Sequence, residues 1–192
     1  ANMTRNGDVW AFTTAGTASP PPATGATGNG DIVLYGLDGR ITGSKWSIVS
    51  DSTAAGAKRL SNPNAGAAKV TTALASPSSY VELTFTATAG KAYHLWIRGR
   101  AEGNVYTNDS AFVQFSNTVT ASGTPIYRIG TTSAAEYNLE DCSGCGLSGW
   151  GWQDNGWGSG VMGPSLYFDT TGSQTLRIQA REDGLSIDQI IL

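Results

Sequence analysis

The stretch Tyr93-His-Leu-Trp-Ile-Arg-Gly-Arg-Ala101 indicates most clearly which fold this sequence adopts. Its apolar residues recur at every second position, and the positions between them carry polar or aromatic side chains, including Arg98 and Arg100. A two-residue period is typical of a β-strand with one face in an apolar core. The stretch Leu176-Arg-Ile-Gln-Ala-Arg181 repeats the pattern, so we expect at least two long, half-buried strands.

Glycine, proline, asparagine and serine interrupt the rest of the chain about every ten residues, as turns do in β-rich proteins. The alanine-rich stretches at 54–57 and 65–68 are too short and too broken to sustain helices. We predict strands at residues 32–36, 45–50, 80–88, 92–101, 110–116, 125–129, 136–139, 165–169, 174–181 and 186–192. From Asp31 onward this pattern predicts a nearly all-β domain built as a two-sheet sandwich.

Two further segments precede this domain. Residues 1–14 contain an isolated strand at 5–14, which is either the end of an upstream sandwich domain or a donor strand that completes the sheet of a neighbouring subunit. Residues 15–30 have the Pro/Gly/Thr composition of a linker.

The overall composition excludes several classes of function. The chain has 192 residues, 12 Lys plus Arg and a formal charge of -3, so it lacks the clustered cations that nucleic-acid binding requires. No stretch is long and apolar enough for a membrane span. A single histidine, His94, and two cysteines leave little material for a histidine-dependent triad or a zinc cluster.

The C-terminal segment Arg181-Glu-Asp-Gly-Leu-Ser-Ile-Asp-Gln-Ile-Ile-Leu192 resembles the last strand of the galactose-binding-like jelly rolls, which include carbohydrate-binding modules of families 6 and 35 and malectin-like domains. Tyr80-Val-Glu-Leu-Thr-Phe85 and the stretch from Gly90 to Arg98 resemble their central strands. The resemblance implies an all-β jelly-roll sandwich over residues 31–192. The resemblance implies a structural Ca²⁺ held by Asp188, with Asp31 and Asp38 roughly in place of first-strand carboxylates. The alternative is that Asp188 caps a turn or pairs with an arginine.

Residues 141–164 form a glycine-rich segment with three of the six tryptophans, and a connection of this length is usually functional or locally tied down. Cys142 and Cys145 are expected to form a small-loop disulfide, as in a secreted protein, in preference to a redox motif or half of a zinc site. Flat indole faces and nearby polar groups are typical of sugar-binding sites, although one or two of the tryptophans are expected to be buried. The candidate ligand-binding residues are Trp150, Trp152, Gln153, Asn155, Trp157, Tyr106, Asn108, Asp109, Arg98 and Arg100.

The arginines on the polar strand faces have two interpretations. In the structural one, Glu82, Glu102, Glu140 or Glu182 supplies their partners. In the functional one, the polar face receives a sugar, which would suit an acidic sugar best.

Together these features predict a non-catalytic carbohydrate-binding or adhesion module of a secreted or cell-surface protein, with a polysaccharide or glycan as its partner. The alternative is a structural subunit of an extracellular filament or surface layer that self-assembles through residues 5–14. No nucleophile elbow, phosphate loop or hydrolase metal motif is present. The carboxylate pairs Glu140/Asp141 and Glu182/Asp183 are the only formal basis for glycoside hydrolysis, and adjacent strand residues face opposite ways.

Overall fold

The alternating stretches form the long strands of two packed antiparallel sheets in the computed structural model, which describes residues 30–192. These residues contain thirteen strands: β1 (Val33–Tyr35), β2 (Arg40–Thr42), β3 (Ser47–Ser50), β4 (Lys58–Ser61), β5 (Tyr80–Ala87), β6 (Trp96–Ala101), β7 (Ser110–Phe115), β8 (Thr118–Val119), β9 (Ala135–Asn138), β10 (Gly151–Gln153), β11 (Tyr167–Phe168), β12 (Gly172–Ala180) and β13 (Leu185–Ile191). The predicted strand at 5–14 and the predicted linker up to residue 29 lie outside the described residues.

One sheet has the order β2-β5-β12-β7-β9. The other has the order β10-β6-β13-β4-β3, and β1 pairs with the second half of β13. A small pair, β8 and β11, lies beside them. The long strands β12 and β13 are consecutive in the chain and lie in different sheets. This arrangement agrees with the predicted two-sheet sandwich.

The core lies between the two sheets and is built from the apolar positions of the alternating strands. Every second residue of β5 and of β6 is buried. Phe168 is 1% exposed, and its ring makes edge contacts with Phe85, Tyr93 and Phe115 at centroid distances of 5.5, 5.6 and 6.0 Å. Edge-to-face packing of this kind is favourable and fixes the spacing of the layers.

Several predicted strand boundaries were wrong. β2, β4, β8 and β10 were not predicted, and residues 92–95 precede β6 with only an isolated bridge between Tyr93 and Leu166. Residues 125–129 likewise make only isolated bridges. Tyr127 explains this, because its φ of +52° is left-handed and breaks the extended conformation that a ladder needs.

The helical turns within residues 30–192 are three-residue 3₁₀ turns at Gly36–Asp38, Ala55–Ala57, Glu102–Asn104 and Tyr106–Asn108. None of the described helices could cross a lipid bilayer.

Candidate functional site

A cavity of about 420 Å³ opens at the end of the sandwich where the connections after β6, β9, β10 and β12 meet. We call it the aromatic cavity, because two exposed aromatic side chains line it. Tyr106 is 66% exposed and Trp157 is 56% exposed. The full lining is Lys69, Tyr106, Asp109, Glu136, Asn138, Glu140, Asn155, Gly156, Trp157, Arg181 and Glu182.

Three buried carboxylates form the polar part of this cavity. Asp109 is 3% exposed, and its Oδ2 accepts a hydrogen bond from the backbone N–H of Glu140 at 2.8 Å. The side chain of Glu140 accepts one from the N–H of Gly146 at 2.9 Å. Glu182 accepts a hydrogen bond from Ser110 and pairs with Lys69 Nζ at 2.9 Å. Each carboxylate therefore has a bonding partner, as buried charges require.

The proximity of these carboxylates changes their acidity. Burial, together with the neighbouring charges of Glu182 and Glu140, raises the pKa of Asp109 to about 7, although its bond from the Glu140 N–H opposes the change. Burial opposes ionisation of Glu182 as well, but hydrogen bonds from Ser110 and Lys69 outweigh it and lower the pKa of Glu182. The cavity therefore holds one carboxyl group that changes charge near neutral pH beside one that stays ionised.

Two carboxylates hold the loop that carries Trp157. Asp154 accepts hydrogen bonds from the N–H groups of Gly156 and Gly163 at 2.6 and 2.7 Å, and His94 Nε2 lies 2.6 Å from its Oδ2. Asp141 accepts hydrogen bonds from the Gln153 side chain at 2.6 Å and from the N–H of Gly160 at 3.2 Å. Gln153 was predicted to bind ligand, and in the structure its side chain helps to hold this loop in place through Asp141.

The predicted disulfide between Cys142 and Cys145 is confirmed, with a Cα–Cα distance of 5.2 Å. It closes a small turn in which the N–H of Cys145 donates to the carbonyl of Cys142. Glu140 binds the N–H of Gly146 at the end of this turn. The disulfide turn therefore adjoins the cavity and stabilises one of its carboxylates.

Three other predicted ligand-binding residues meet on the outer face of the six-stranded sheet. The guanidinium groups of Arg98 and Arg100 lie 5.1 and 4.8 Å from the centre of the Trp150 ring. Arg98 also bonds Asp188 at 2.6 Å, and Arg100 bonds Asp51 at 2.7 Å. These cations already have carboxylate partners, which supports the structural interpretation of the arginines.

The carboxylates that pair with the arginines were only partly anticipated. Arg177 pairs with Glu82 at 2.7 Å, as the structural interpretation suggested. Arg181 pairs with Glu136 at 2.5 Å and lies 3.8 Å from Glu182. Arg98 pairs with Asp188, which confirms the alternative interpretation of that aspartate, whereas the partner of Arg100, Asp51, was not anticipated.

The remaining predicted ligand-binding residues, Trp152 and Asn108, do not line the aromatic cavity. Trp152 is 41% exposed on β10, opposite Arg98 of β6, and does not line the aromatic cavity. Asn108 is buried, and its side-chain amide donates to the carbonyl of Glu102 at 3.0 Å.

Of the ten predicted ligand-binding residues, four line the aromatic cavity: Tyr106, Asp109, Asn155 and Trp157. Sequence reasoning gave no binding role to Lys69, Glu136, Asn138, Glu140 or Glu182, and it considered Arg181 only as one of the arginines on the polar strand faces.

The three carboxylates predicted to hold Ca²⁺ are not brought together. Asp31 and Asp188 lie at opposite ends of the β1–β13 pair, in which Val33 is opposite Ile191 and Tyr35 is opposite Gln189. Within residues 30–192 no group of three Asp, Glu, His or Cys side chains is arranged to hold a metal ion. Oδ2 of Asp188 is occupied by Arg98 and by the N–H of Ala55 at 2.7 Å. The predicted ligand set is therefore not assembled in one place, and its buried member, Asp188, pairs with an arginine, as the alternative interpretation suggested.

The ion pair between Arg98 and Asp188 gives a stability prediction. Asp188 is fully buried, so Arg98→Met leaves a buried carboxylate without its cation, and we expect a loss of about 3 kcal/mol or more in the free energy of unfolding. The double variant Arg98→Met with Asp188→Leu should recover part of this loss in urea denaturation. Equal stability of Arg98→Met and the original protein would show that the pair contributes nothing.

The buried Asp109 gives a pH prediction. Because its pKa in the folded protein lies above that of the unfolded chain, the stability that neutral Asp109 contributes is complete below about pH 4 and is lost as the pH rises through about 7. Asp109→Asn keeps the side chain neutral and retains an oxygen for the Glu140 N–H. We expect the Tm of this variant, relative to the original protein, to rise by about 2 °C or more from pH 5 to pH 8.

The matched control for this pH prediction is Asp31→Asn, at an exposed carboxylate outside the cavity. Its Tm should stay parallel to that of the original protein over the same range. The prediction would be contradicted if the difference in Tm between Asp109→Asn and the original protein stayed constant from pH 5 to pH 8.

Comparison with known proteins shows a likeness in structure alone. No family model matches the sequence, and no curated protein matches it. The Podospora anserina GH26-CBM35 β-(1,4)-mannanase aligns over 85% of this chain and 27% of its own, with 12% identity and a TM-score of 0.52. An Arthrobacter globiformis isomalto-dextranase in complex with panose aligns over 84% and 23%, with 14% identity and a TM-score of 0.50.

A third match is a family 35 carbohydrate binding module from Clostridium thermocellum, which aligns over 84% of this chain and 95% of its own, with 10% identity and a TM-score of 0.45. This chain spans about a quarter of the length of the first two proteins. The likeness to the first two proteins, together with the two packed antiparallel sheets, confirms the predicted all-β jelly-roll sandwich in residues 30–192.

Proposed function

We propose that this chain is a non-catalytic carbohydrate-binding module of a secreted or cell-surface protein, and that it binds glycan in the aromatic cavity. The observation that carries the proposal is the exposure of Tyr106 and Trp157 on the lining of one cavity with a polar floor. Large aromatic side chains are usually buried, so two of them exposed at one concave site point to a ligand. The confirmed disulfide supports an oxidising, extracellular environment.

The chemistry of the lining suits a sugar. Aromatic faces pack against the C–H groups of a pyranose ring, and hydroxyl groups need both donors and acceptors nearby. The cavity supplies the amides of Asn138 and Asn155, the ammonium group of Lys69 and several carboxylate oxygens. This combination of apolar area and a few fixed polar groups is typical of small-ligand sites.

The charge of the lining favours a neutral glycan. Four carboxylates line the cavity, whereas its two cations, Lys69 and Arg181, already pair with Glu182 and Glu136. An acidic sugar would meet net repulsion there. Arg98 and Arg100, on the outer sheet face, are paired with carboxylates as well. Neither the aromatic cavity nor this face therefore offers a cluster of unpaired arginines that would favour an acidic sugar.

The carboxylates of the cavity favour binding without hydrolysis. Glycoside hydrolysis needs an acid and a second carboxylate that are free to act on opposite sides of the scissile bond. Here Glu182 is held by Ser110 and Lys69, and Glu140 is held by the Gly146 N–H. Asp109, which changes charge near neutral pH, is buried and held by the Glu140 N–H. We therefore assign these groups to the structure of the cavity.

The proposal predicts that Trp157→Ala weakens glycan binding. The change removes an aromatic surface from the cavity, and we expect a loss of about tenfold or more in affinity, which is about 1.4 kcal/mol. Affinity gels containing β-1,4-mannan, dextran and other neutral polysaccharides identify the ligand, and isothermal titration calorimetry measures the loss. Mannan and dextran come first because the structurally similar proteins include a β-(1,4)-mannanase and an isomalto-dextranase.

Trp152→Ala is the matched control, because it removes an exposed tryptophan outside the aromatic cavity. The affinity of this variant for the glycan should stay within twofold of that of the original protein. Equal losses in both variants would contradict the placement of the site, and binding to no neutral polysaccharide would reject the proposal. Release of reducing ends from the bound polysaccharide would reject the non-catalytic assignment.

The alternative proposal, assembly into a filament or layer through residues 5–14, concerns residues outside the described part of the chain. It predicts a molar mass that increases with protein concentration in sedimentation velocity experiments, and an increase that disappears when residues 1–14 are deleted. A constant monomer mass over the accessible concentration range would reject assembly and leave the binding proposal intact.

A further inference from the structure

A second cavity, of about 260 Å³, lies beside the aromatic cavity and shares Arg181 and Glu182 with it. We call it the alanine cavity, because four alanines contribute to its wall. Its full lining is Ser44, Lys45, Asn62, Pro63, Ala65, Ala67, Ala68, Val70, Ala180, Arg181, Glu182 and Asp183. Six of these twelve residues are apolar, and three of the polar ones, Asn62, Glu182 and Asp183, are buried.

The wall of the alanine cavity is anchored to the sheet. Oδ2 of Asp183 accepts hydrogen bonds from the N–H groups of Ala65 and Ala67, both at 2.7 Å. The N–H of Val70 donates to the carbonyl of Arg181 at 2.8 Å. Because the backbone is fixed and the side chains are only methyl groups, the space beside them stays open.

Lys69 marks the boundary between the two cavities. It lines the aromatic cavity, whereas its neighbours Ala68 and Val70 line the alanine cavity. Its side chain is 48% exposed, and its Nζ pairs with Glu182 at 2.9 Å. Because Glu182 is buried and Lys69 is one of its bonding partners, the lysine stays at this boundary, where the exposed part of its side chain is open to a ligand.

We propose that the two cavities form one groove for an internal stretch of a linear neutral glycan, with the alanine cavity holding the sugars next to those in the aromatic cavity. The inference rests on the proposed function. A polysaccharide bound at an internal position must leave the aromatic cavity, and the shared residues Arg181 and Glu182 make the alanine cavity the adjoining space. Methyl groups there contact the apolar faces of the sugars, and Ser44 and Lys45 offer partners for hydroxyl groups.

The test compares short and long ligands by isothermal titration calorimetry, with mannobiose and mannohexaose as one pair and isomaltose and isomaltohexaose as the other. We expect the original protein to bind one of the hexasaccharides at least tenfold more tightly than the matching disaccharide. Ala68→Trp fills the alanine cavity and should remove most of this gain while it leaves the disaccharide affinity within twofold. Ala89→Trp, at an exposed alanine that lines neither cavity, is the matched control and should behave as the original protein.

Several results would overturn the inference. These are equal affinity for the short and long ligands, equal losses for both lengths in Ala68→Trp, or the same loss of length dependence in Ala89→Trp. If Ala68→Trp does not fold, Lys45→Ala replaces it, and an unchanged affinity for the hexasaccharide in that variant counts against the groove. Binding of none of these sugars, and of no neutral polysaccharide in the affinity gels, would instead reject the proposed function itself.

Discussion

The connection between β12 and β13, residues 181–184, is the constraint on which both the sandwich and its cavities depend. β12 lies inside one sheet and β13 inside the other, so four residues carry the chain across the edge of the core. Gly184 has a φ of +84°, and a Cβ at this position would lie 2.7 Å from the side chain of Asn108. Only glycine meets both conditions, so the tight crossing depends on this residue.

The same crossing places two carboxylates where little water reaches them. Glu182 is 6% exposed and Asp183 is 8% exposed, and a buried carboxylate is costly unless it is bonded. Asp183 obtains its bonds from the backbone of Ala65 and Ala67, and Glu182 obtains one of its bonds from Lys69. Because these charges need bonding partners, the irregular segment from Ala65 to Lys69 is held against the sheet. Both cavities lie along this segment.

This dependence on tertiary contacts explains which parts of the fold could be predicted. The long strands β5, β6 and β12 were predictable because the core buries every second side chain and so imposes a period of two on the sequence. β10 (Gly151–Gln153) has no such period, and it is extended because it pairs with the edge of β6. For the same reason the tryptophans could not be told apart in advance: pairing with β6 brings Trp150 to two arginines, whereas Trp157 lines a cavity. Lys69 gave no sequence signal, because only its bond to Glu182 brings it to the site.

The glycine-rich composition around Trp157 predicted a segment that is functional or locally tied down, and the structure shows how the glycines let it be tied down. Glycine usually suggests flexibility, yet Asp154 bonds the N–H groups of Gly156 and Gly163 in this loop. A Cβ at Gly156 would lie 2.0 Å from the carbonyl oxygen of Val161, and one at Gly163 would lie 2.4 Å from the side chain of Asn155. Glycine is therefore what allows the backbone to approach the buried carboxylate and become fixed. Since ordering a loop on binding costs free energy, a loop that is already held presents its aromatic side chain at a lower cost to affinity.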